Sequence, residues 1–177
     1  MNKERIIKEL IDLLKSFLFA LIICFLLIKF VMMSVVVNGN SMNPTLYNSD
    51  FGFSFVITKN IKINRFDTVV INANDEKKIV KRVIGLPNET IEFIDDALYI
   101  NGELIEQDFK YQGYTQDLKV TLKSDEYYVL GDNREYSKDS RFYGPFNSKQ
   151  IVSSHILVLF PVSDFGFDKW KEDMLII

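Results

Sequence analysis

A long apolar segment near the N-terminus constrains this chain more than any other feature. Residues 17–37 are apolar apart from Lys29 and Ser34. The segment has 21 residues, close to the roughly 20 that a helix needs to cross the hydrocarbon core of a bilayer. Lys29 opposes insertion, but it lies past the midpoint, and its ammonium can reach the outer headgroup region. We therefore predict a single transmembrane anchor over residues 17–37.

The residues before the anchor set its predicted orientation. Residues 1–16 form an amphipathic lead-in with apolar side chains at helical spacing. Four basic residues lie in this lead-in: Lys3, Arg5, Lys8 and Lys15. The next basic residue after the anchor is Lys59. The positive-inside rule then places the N-terminus in the cytoplasm and residues 38–177 on the outer face of the cell membrane.

A cleaved signal peptide is the alternative to an anchor. The apolar stretch is longer than the core of about 7–15 residues that is typical of signal peptides. Val37 and Gly39 also make a poor cleavage pair, and no Ala-x-Ala follows. An uncleaved anchor is therefore the prediction.

Beyond residue 40 the sequence indicates short strands rather than helices. Apolar residues alternate with others from Phe51 onward, and the pair Asn101-Gly102 is a strong signal for a type I′ hairpin turn. The predicted strands cover 51–58, 66–73, 78–84, 91–94, 98–100, 127–130 and 156–160. We predict a mostly β fold, in which residues 38–177 form an antiparallel, β-barrel-like domain. The tail, 164–177, is too short and charged to span a membrane; we expect it to pack on the core, with an interfacial position as the alternative.

Charge and composition exclude several classes of function. The net charge of −3 provides no basic surface for nucleic acid. The single cysteine, Cys24, lies in the apolar segment, so an intramolecular disulfide and a cysteine-based zinc site are excluded. The single histidine, His155, likewise excludes a His-rich metal site.

The best candidate for a nucleophile follows the anchor. Residues 40–46 read NSMNPTL, and the proline and asparagines are typical of a turn. The hydroxyl of Ser41 is a weak nucleophile at neutral pH and needs a base within hydrogen-bond reach. The alternative is a polar loop that only joins an anchor to a domain.

Lys81 is the candidate base. In a strand over 78–84, Lys81 shares one face with Ile79 and Val83. A lysine is normally protonated, with an unperturbed pKa of about 10.4. Burial in apolar surroundings is what favours the neutral amine that a base requires. The alternative is an edge-strand lysine whose ammonium lies in water.

A third stretch, GDNREYSKDSRFYG at residues 131–144, is dense in turn formers and in side chains that can bond to one another. Asp139 and Arg141 can form a bidentate pair. Taken alone, this stretch could also be an ordinary polar loop.

Together, the three stretches resemble the type I signal peptidases of bacteria. The resemblance rests on SMxPT from Ser41, KRVIG from Lys81 and GDNRxxSxDSRxxG from residue 131, in that order behind an N-terminal anchor. The 40 residues between Ser41 and Lys81 also match. It runs from the anchor to about Phe160, and a lysine at position 81 points to the bacterial type.

The resemblance implies a membrane-tethered serine endopeptidase that cleaves signal peptides from exported preproteins through an acyl-enzyme. It identifies Ser41 as the nucleophile, Lys81 as the general base and Ser137 as the hydroxyl that orients the lysine. Asp139 and Arg141 correspond to a supporting salt bridge. No metal or other cofactor is implied, and the expected partners are signal peptides and the lipid bilayer.

This sequence departs from the family pattern at three places. Some relatives carry a serine two residues before the nucleophile, whose hydroxyl helps to hold the oxyanion; here that residue is Gly39. Two familiar Gly-Asp pairs are replaced by Asn88-Glu89 and Phe66-Asp67. Only the first departure concerns the chemistry.

Three rival functions remain. His155 could belong to a Ser/His/Asp triad, although no motif surrounds it. A self-cleaving repressor also uses serine and lysine, but it would carry a DNA-binding module where this chain has an apolar segment. A non-catalytic anchored domain that only binds a partner is the third, and intact Ser41 and Lys81 argue against it.

Overall fold

The structure, a computed structural model, describes residues 3–56, 62–74 and 77–167. A long N-terminal helix precedes two antiparallel sheets. The helices are α1 Lys3–Val31 and α2 Ser140–Tyr143, with 3₁₀ turns at Ser148–Gln150 and Val162–Asp164. The strands are β1 Met32–Val36, β2 Phe51–Val56, β3 Thr68–Asn74, β4 Lys77–Gly85, β5 Thr90–Ile94, β6 Ala97–Ile100, β7 Glu103–Ile105, β8 Leu118–Thr121, β9 Glu126–Leu130, β10 Phe146–Asn147, β11 Ile151–Phe160 and β12 Gly166–Phe167. The predicted mostly β fold with one N-terminal apolar helix is confirmed.

The apolar segment is divided between a helix and a strand. Within the described residues, one stretch, Ile7–Val31 of α1, is long and apolar enough to cross a membrane, with a mean hydropathy of 2.5. The predicted anchor over 17–37 extends past the end of this helix, and its last residues form β1 instead. The predicted lead-in over 1–16 is continuous with the same helix from Lys3 onward.

The physical reason for this boundary lies in the valines. Val35 and Val37 are buried in the core of the β domain, and β1 pairs with β2 over its whole length. β-branched residues favour a pleated, half-buried strand. A continuous apolar run carries no period, so hydropathy alone does not separate the end of the helix from the start of the strand.

The larger sheet has the order β1-β2-β11-β3-β4-β9-β10, with β12 added to β11. The smaller sheet has the order β7-β6-β5-β8. Residues 166–167 of the tail pair with β11, while residues 168–177, including Trp170, lie outside the described residues. Strands β1, β7, β8, β10 and β12 were not predicted, because each is short or lacks a clear alternation.

Strand β2 buries its small residues rather than its aromatic ones. Gly52 and Ser54 are buried, whereas Phe51, Phe53 and Phe55 are more exposed. A Cβ atom at Gly52 would clash with the backbone of Leu157 on β11. Glycine therefore permits the close approach of these two strands.

The predicted hairpin turn is present: Asn101 and Gly102 have φ values of 53° and 87°, as a type I′ turn requires.

Tight turns also explain two of the departures from the family pattern. Phe66 and Asn88 have φ values of 70° and 67°. These are the positions at which the family pattern has glycine, the residue that adopts such angles without strain.

Candidate active site

Ser41 lies in a turn that buried side chains of neighbouring residues hold in place. Met42 is 1% exposed and Leu46 is 0% exposed, and both pack in a cluster with Val35 and Val37. The amide of Leu46 donates to the carbonyl of Met42 at 2.9 Å. The apolar residues on either side of the serine thus anchor the turn, and Ser41 itself remains partly accessible.

Lys81 meets the serine from strand β4. Its Nζ lies 2.7 Å from Ser41 Oγ and 2.8 Å from the carbonyl oxygen of Val80. Lys81 is only 3% exposed and pairs in register with Val69 of β3. The alternative in which the ammonium lies in water is therefore wrong. A buried amine in contact with a hydroxyl has the geometry that a general base needs.

The loop at 131–144 closes over the same turn. The amide of Asn133 donates to the carbonyl of Ser41 at 3.0 Å, and its side chain donates to the carbonyl of Asn40 at 3.2 Å. A Cβ atom at Gly131 would clash with Ser137 Oγ and with the carbonyl oxygen of Ser41. Glycine is therefore needed at 131 because the loop backbone lies directly against the Ser41 turn.

Ser137, the hydroxyl expected to orient the lysine, lies close to this contact. Its Oγ is buried and has no hydrogen-bond partner of normal geometry in the described part of the chain, although it lies near enough to Asp139 to help lower the pKa of that carboxyl. In this arrangement Ser137 Oγ makes no hydrogen bond to Lys81, and the orienting role that the resemblance implies stays a prediction. A buried hydroxyl without a hydrogen bond lowers stability. The Ser137 hydroxyl, beside the Ser41 turn, is therefore available to bond with a bound substrate or a side chain that moves.

Asp139 and Arg141 form the predicted bidentate pair. Arg141 donates through Nε at 2.9 Å and through Nη2 at 2.8 Å, and the Asp139 carboxylate is fully buried. Asp139 also accepts from the amide of Gly131 at 3.0 Å. Burial alone would raise the pKa of Asp139, but the hydrogen bonds from Arg141 and Gly131 outweigh it and hold the pKa below its usual value.

A second buried ion pair links the three motifs and was not predicted from the sequence. Arg82 binds both carboxylate oxygens of Asp132, through Nε at 2.8 Å and Nη2 at 2.6 Å. Thr45 donates to the same carboxylate and accepts from Arg82 at 3.0 Å. The guanidinium also lies 4.3 Å from the ring centroid of Phe109. In the sequence, Thr45, Arg82 and Asp132 each lie inside one of the three motifs. The sequence does not show that their side chains meet.

The Ser41–Lys81 pair opens into a cleft of about 590 Å³. One wall follows the end of β1 and the turn to Met42, and the other follows residues 78–81 of β4. In the described part of the sheet, β1 pairs only with β2, and β9 meets β4 only from Arg82 onward. Both walls therefore present free backbone edges, the arrangement that binds an extended peptide.

His155 has a geometry that resembles a triad but lacks an accessible nucleophile. Its Nε2 lies 3.2 Å from Asp67 Oδ1, and its Nδ1 lies 3.1 Å from Ser154 Oγ. Ser154 is 1% exposed and His155 is outside the cleft lining. A substrate carbonyl cannot reach a hydroxyl that is buried in β11, so this arrangement does not compete with Ser41.

Together, Ser41 and the buried Lys81 lie at a peptide-sized cleft in a β-sheet protein, a geometry that a serine hydrolase could use. The sequence profile of the family described as Signal peptidase, peptidase S26 matches residues 10–160. Signal peptidase I P of Bacillus subtilis subsp. natto is 38% identical, covering 91% of this chain and 95% of that protein. Signal peptidase IB of Staphylococcus aureus strain MRSA252 is 32% identical, covering 91% and 95%.

A solved structure of a signal peptidase I from Enterococcus faecalis V583 is also similar. It is 34% identical, with a TM-score of 0.48, and the match covers 53% of this chain and 97% of that chain. The chain belongs to the signal peptidase family, peptidase S26, and is a hydrolase of the serine endopeptidase type. Its N-terminal apolar helix and these relatives fit a membrane-anchored protein.

Proposed function

We propose that this chain is a membrane-anchored endopeptidase that removes N-terminal signal peptides from exported preproteins. One observation carries the chemical part of the proposal. Lys81 Nζ lies 2.7 Å from Ser41 Oγ, and Lys81 is almost fully buried. Burial favours the uncharged amine, which can accept a proton from the serine.

The proposed reaction uses these two groups in turn. Neutral Lys81 takes the proton of Ser41 while Oγ attacks the carbonyl carbon of the scissile peptide bond. The ammonium then gives that proton to the leaving nitrogen, the carbon–nitrogen bond breaks, and the signal peptide remains as an ester on Ser41. A water molecule, deprotonated by Lys81, attacks the ester and releases the signal peptide with a free carboxyl group.

The charge on the carbonyl oxygen needs donors close to Ser41. The amide of Gly39 already donates to Asn48 Oδ1 at 2.8 Å, so it is engaged elsewhere. The amide of Ser41 is the proposed donor, with the side chain of Asn38 or Asn40 as a second. Donors aimed at this oxygen are usually the largest single term in such catalysis.

The supporting residues are proposed to act through the loop at 131–144. The Asp139–Arg141 pair holds Gly131 against the Ser41 turn, as its hydrogen bond to the Gly131 amide suggests. Ser137 is proposed to turn its unpartnered hydroxyl toward Lys81 when substrate is bound. The role of this hydroxyl is to orient the amine.

The anchor is proposed to be α1, with the N-terminus in the cytoplasm and the β domain on the outer face of the cell membrane. The basic residues before the apolar part of α1 support this orientation. A signal peptide also has an apolar segment that lies in the bilayer. Anchor and substrate would then reach the same membrane surface.

The test is cleavage of a preprotein by the full chain in detergent micelles. The expected result is two products, with the new N-terminus of the mature part identified by sequencing, and a transient acyl adduct on Ser41 identified by mass spectrometry. Ser41→Ala is expected to bind the preprotein without cutting it. A wild-type chain that binds the preprotein and does not cleave it would instead support an anchored binding domain.

A further inference from the structure

The cleft has two distinct ends, which follow from the sheet order. Strands β1 and β4 run in the same direction, because four antiparallel pairings separate them in the order β1-β2-β11-β3-β4. At the first end, Lys78 Nζ lies 3.6 Å from Met33 Sδ. At the other end, Lys81 meets Ser41. Helix α1 ends at Val31, directly before β1, so the first end is the one at the membrane helix.

This polarity fixes how a signal peptide would lie, an argument that rests on the proposed function. The apolar part of a signal peptide precedes the cut. A chain that leaves the bilayer beside α1 therefore enters at the Met33–Lys78 end and runs parallel to β1 towards Ser41. The residues after the cut, which become the N-terminus of the mature protein, lie beyond Ser41, beside the loop at 131–144.

Three residues of this loop line the cleft: Tyr136, Lys138 and Tyr143. The loop is fixed to the nucleophile turn through Asn133, whose amide binds Ser41 and whose carbonyl accepts from the amide of Tyr136 at 3.2 Å. Lys138 Nζ lies 5.2 Å from the ring centroid of Phe142. The ammonium is therefore held over an aromatic face next to the site, an attractive placement for a cation.

Lys138 has no carboxylate partner in the described part of the chain. The two carboxylates nearest to it in sequence belong to Asp139 and Glu135, and no ion pair between either of them and Lys138 is found in the described residues. Asp139 is bound by Arg141, and the Cγ of Glu135 lies beside Gly113. The residues that line the cleft include no aspartate or glutamate, although the chain as a whole carries a net charge of −3. Among the residues that the structure describes, Lys138 is thus an exposed cation at the cleft without a carboxylate counter-ion.

We propose that Lys138 is a specificity-determining residue that binds an acidic side chain among the first three residues after the cut. A carboxylate there would gain an ion pair with the Lys138 ammonium, while Tyr136 forms the adjoining wall. The pair would be exposed, and exposed ion pairs are weak. The expected preference for an acidic over a neutral residue is therefore about two- to fivefold in kcat/KM.

The experiment uses the full chain in detergent micelles and a series of peptides that span a signal-peptide cleavage site. The peptides differ only by Glu, Gln or Lys, placed in turn at each of the first three positions after the cut. The wild type is expected to prefer Glu over Gln and Gln over Lys at one of these positions. The ratio of kcat/KM values for the Glu and Gln peptides should fall towards one as salt is added.

Charge reversal is the sharper arm of the test. In Lys138→Glu the order of preference should reverse, so that the Lys peptide becomes the best substrate, whereas a purely structural role would lower all three rates together. Lys149→Glu reverses the charge of an exposed lysine outside the cleft; it is the matched control and should keep the wild-type ratio. A wild type that cleaves the three peptides equally, or a Lys138→Glu variant that keeps the wild-type order, overturns this inference alone. A wild type that cleaves none of them overturns the proposed function instead.

Discussion

The amine of Lys81 lies 2.7 Å from the hydroxyl of Ser41, and the lysine that carries it is 3% exposed. Two groups in contact inside a buried site act as a unit, so removing either should abolish the reaction. Lys81→Met keeps the apolar stem of the side chain and should fold but not cleave. Lys81→Arg should also be inactive, because a guanidinium is not deprotonated near neutral pH.

The measurement is preprotein cleavage at several pH values, together with far-ultraviolet circular dichroism for the fold. Wild-type activity should rise along one limb as pH increases and the lysine loses its proton. Ser41→Ala should be as inactive as Lys81→Met, and the double variant should lose little more than either. Near-wild-type cleavage by Lys81→Met would remove the lysine from the mechanism.

Substitution of Gly131 should also have a strong effect on activity. A Cβ atom there would clash with Ser137 Oγ and with the carbonyl oxygen of Ser41, and the second clash is with backbone that cannot rotate away. Gly131→Ala should therefore displace the Ser41 turn and lower kcat/KM by about 100-fold, the loss expected from a misplacement of about 1 Å. Removing the side-chain clash with Ser137→Ala in the same chain should not restore activity. Restoration would show that the contact with Ser41 does not matter.

The Asp139–Arg141 pair predicts how stability responds to acid. The pKa of Asp139 is lowered by the hydrogen bonds from Arg141 and Gly131, against the effect of burial. A carboxylate with a lowered folded-state pKa stabilises the fold above its unfolded pKa of about 3.9, and that contribution is lost as pH falls through the lowered value. In Arg141→Gln burial remains and the hydrogen bonds from the Arg141 side chain are lost, while the bond from the Gly131 amide stays, so the acid unfolding midpoint should move to higher pH.

The same variant should lower the free energy of unfolding at pH 7 by roughly 3 kcal/mol. That is the low end of the range for breaking a buried pair, chosen because the Arg141 side chain is 22% exposed. Thermal unfolding of the full chain between pH 3 and 7 measures both effects. Arg5→Gln, which breaks the exposed Arg5–Glu9 pair on α1, is the control and should leave the unfolding curves unchanged.

Seven of the twelve strands in the described residues, and the candidate pair of Ser41 and Lys81, could be predicted because each rests on local pattern or on motif order. Lys81 lies on the strand predicted for it, and the turn at Asn101-Gly102 has the predicted backbone angles. Strand β1 could not be predicted, because the valines that form it continue an apolar run that already had a transmembrane interpretation. Hydropathy reports apolar character, not the partner against which a segment packs.

Contacts between distant segments also could not be predicted from the sequence. The buried set of Arg82, Asp132 and Thr45 spans all three motifs, but only the sheet pairings bring these residues together. The direction of the Ser137 hydroxyl was also not predictable: in the described part of the chain it makes no hydrogen bond of normal geometry. A motif shows which side chains a site contains, whereas the rotamer of a serine depends on what fills the space beside it.

The orientation of the chain in the membrane is tested by protease protection. The positive charges before the apolar part of α1 predict that the β domain lies outside. Protease added to intact spheroplasts should digest the domain and leave a membrane-embedded fragment that contains α1. A cytoplasmic protein of known location serves as the protected control. Protection of the β domain under these conditions would reverse the predicted topology.

Gly39 gives the last prediction, which concerns the oxyanion. Some relatives have a serine here, and this chain has no hydroxyl at the position. If the site merely lacks a donor, Gly39→Ser should raise kcat with little effect on KM. If the backbone requires glycine, the same change should lower activity. The space around Gly39 does not distinguish these two possibilities, because a Cβ atom there would meet nothing within 4 Å. The backbone angle does, because Gly39 has a φ of 98°.

A φ of 98° lies beyond the left-handed helical region near 57° that asparagine tolerates, so any side chain at 39 is strained by about 1–3 kcal/mol. We therefore expect a modest loss of activity in Gly39→Ser. Gly39→Ala is the matched control, because it carries the same backbone strain without a hydroxyl; the ratio of kcat values for the Gly39→Ser and Gly39→Ala variants isolates the donor. Both variants should show the same fall in the free energy of unfolding. A Gly39→Ser chain that is tenfold faster than wild type, about 1.4 kcal/mol off the barrier, would contradict the prediction and place the oxyanion beside residue 39.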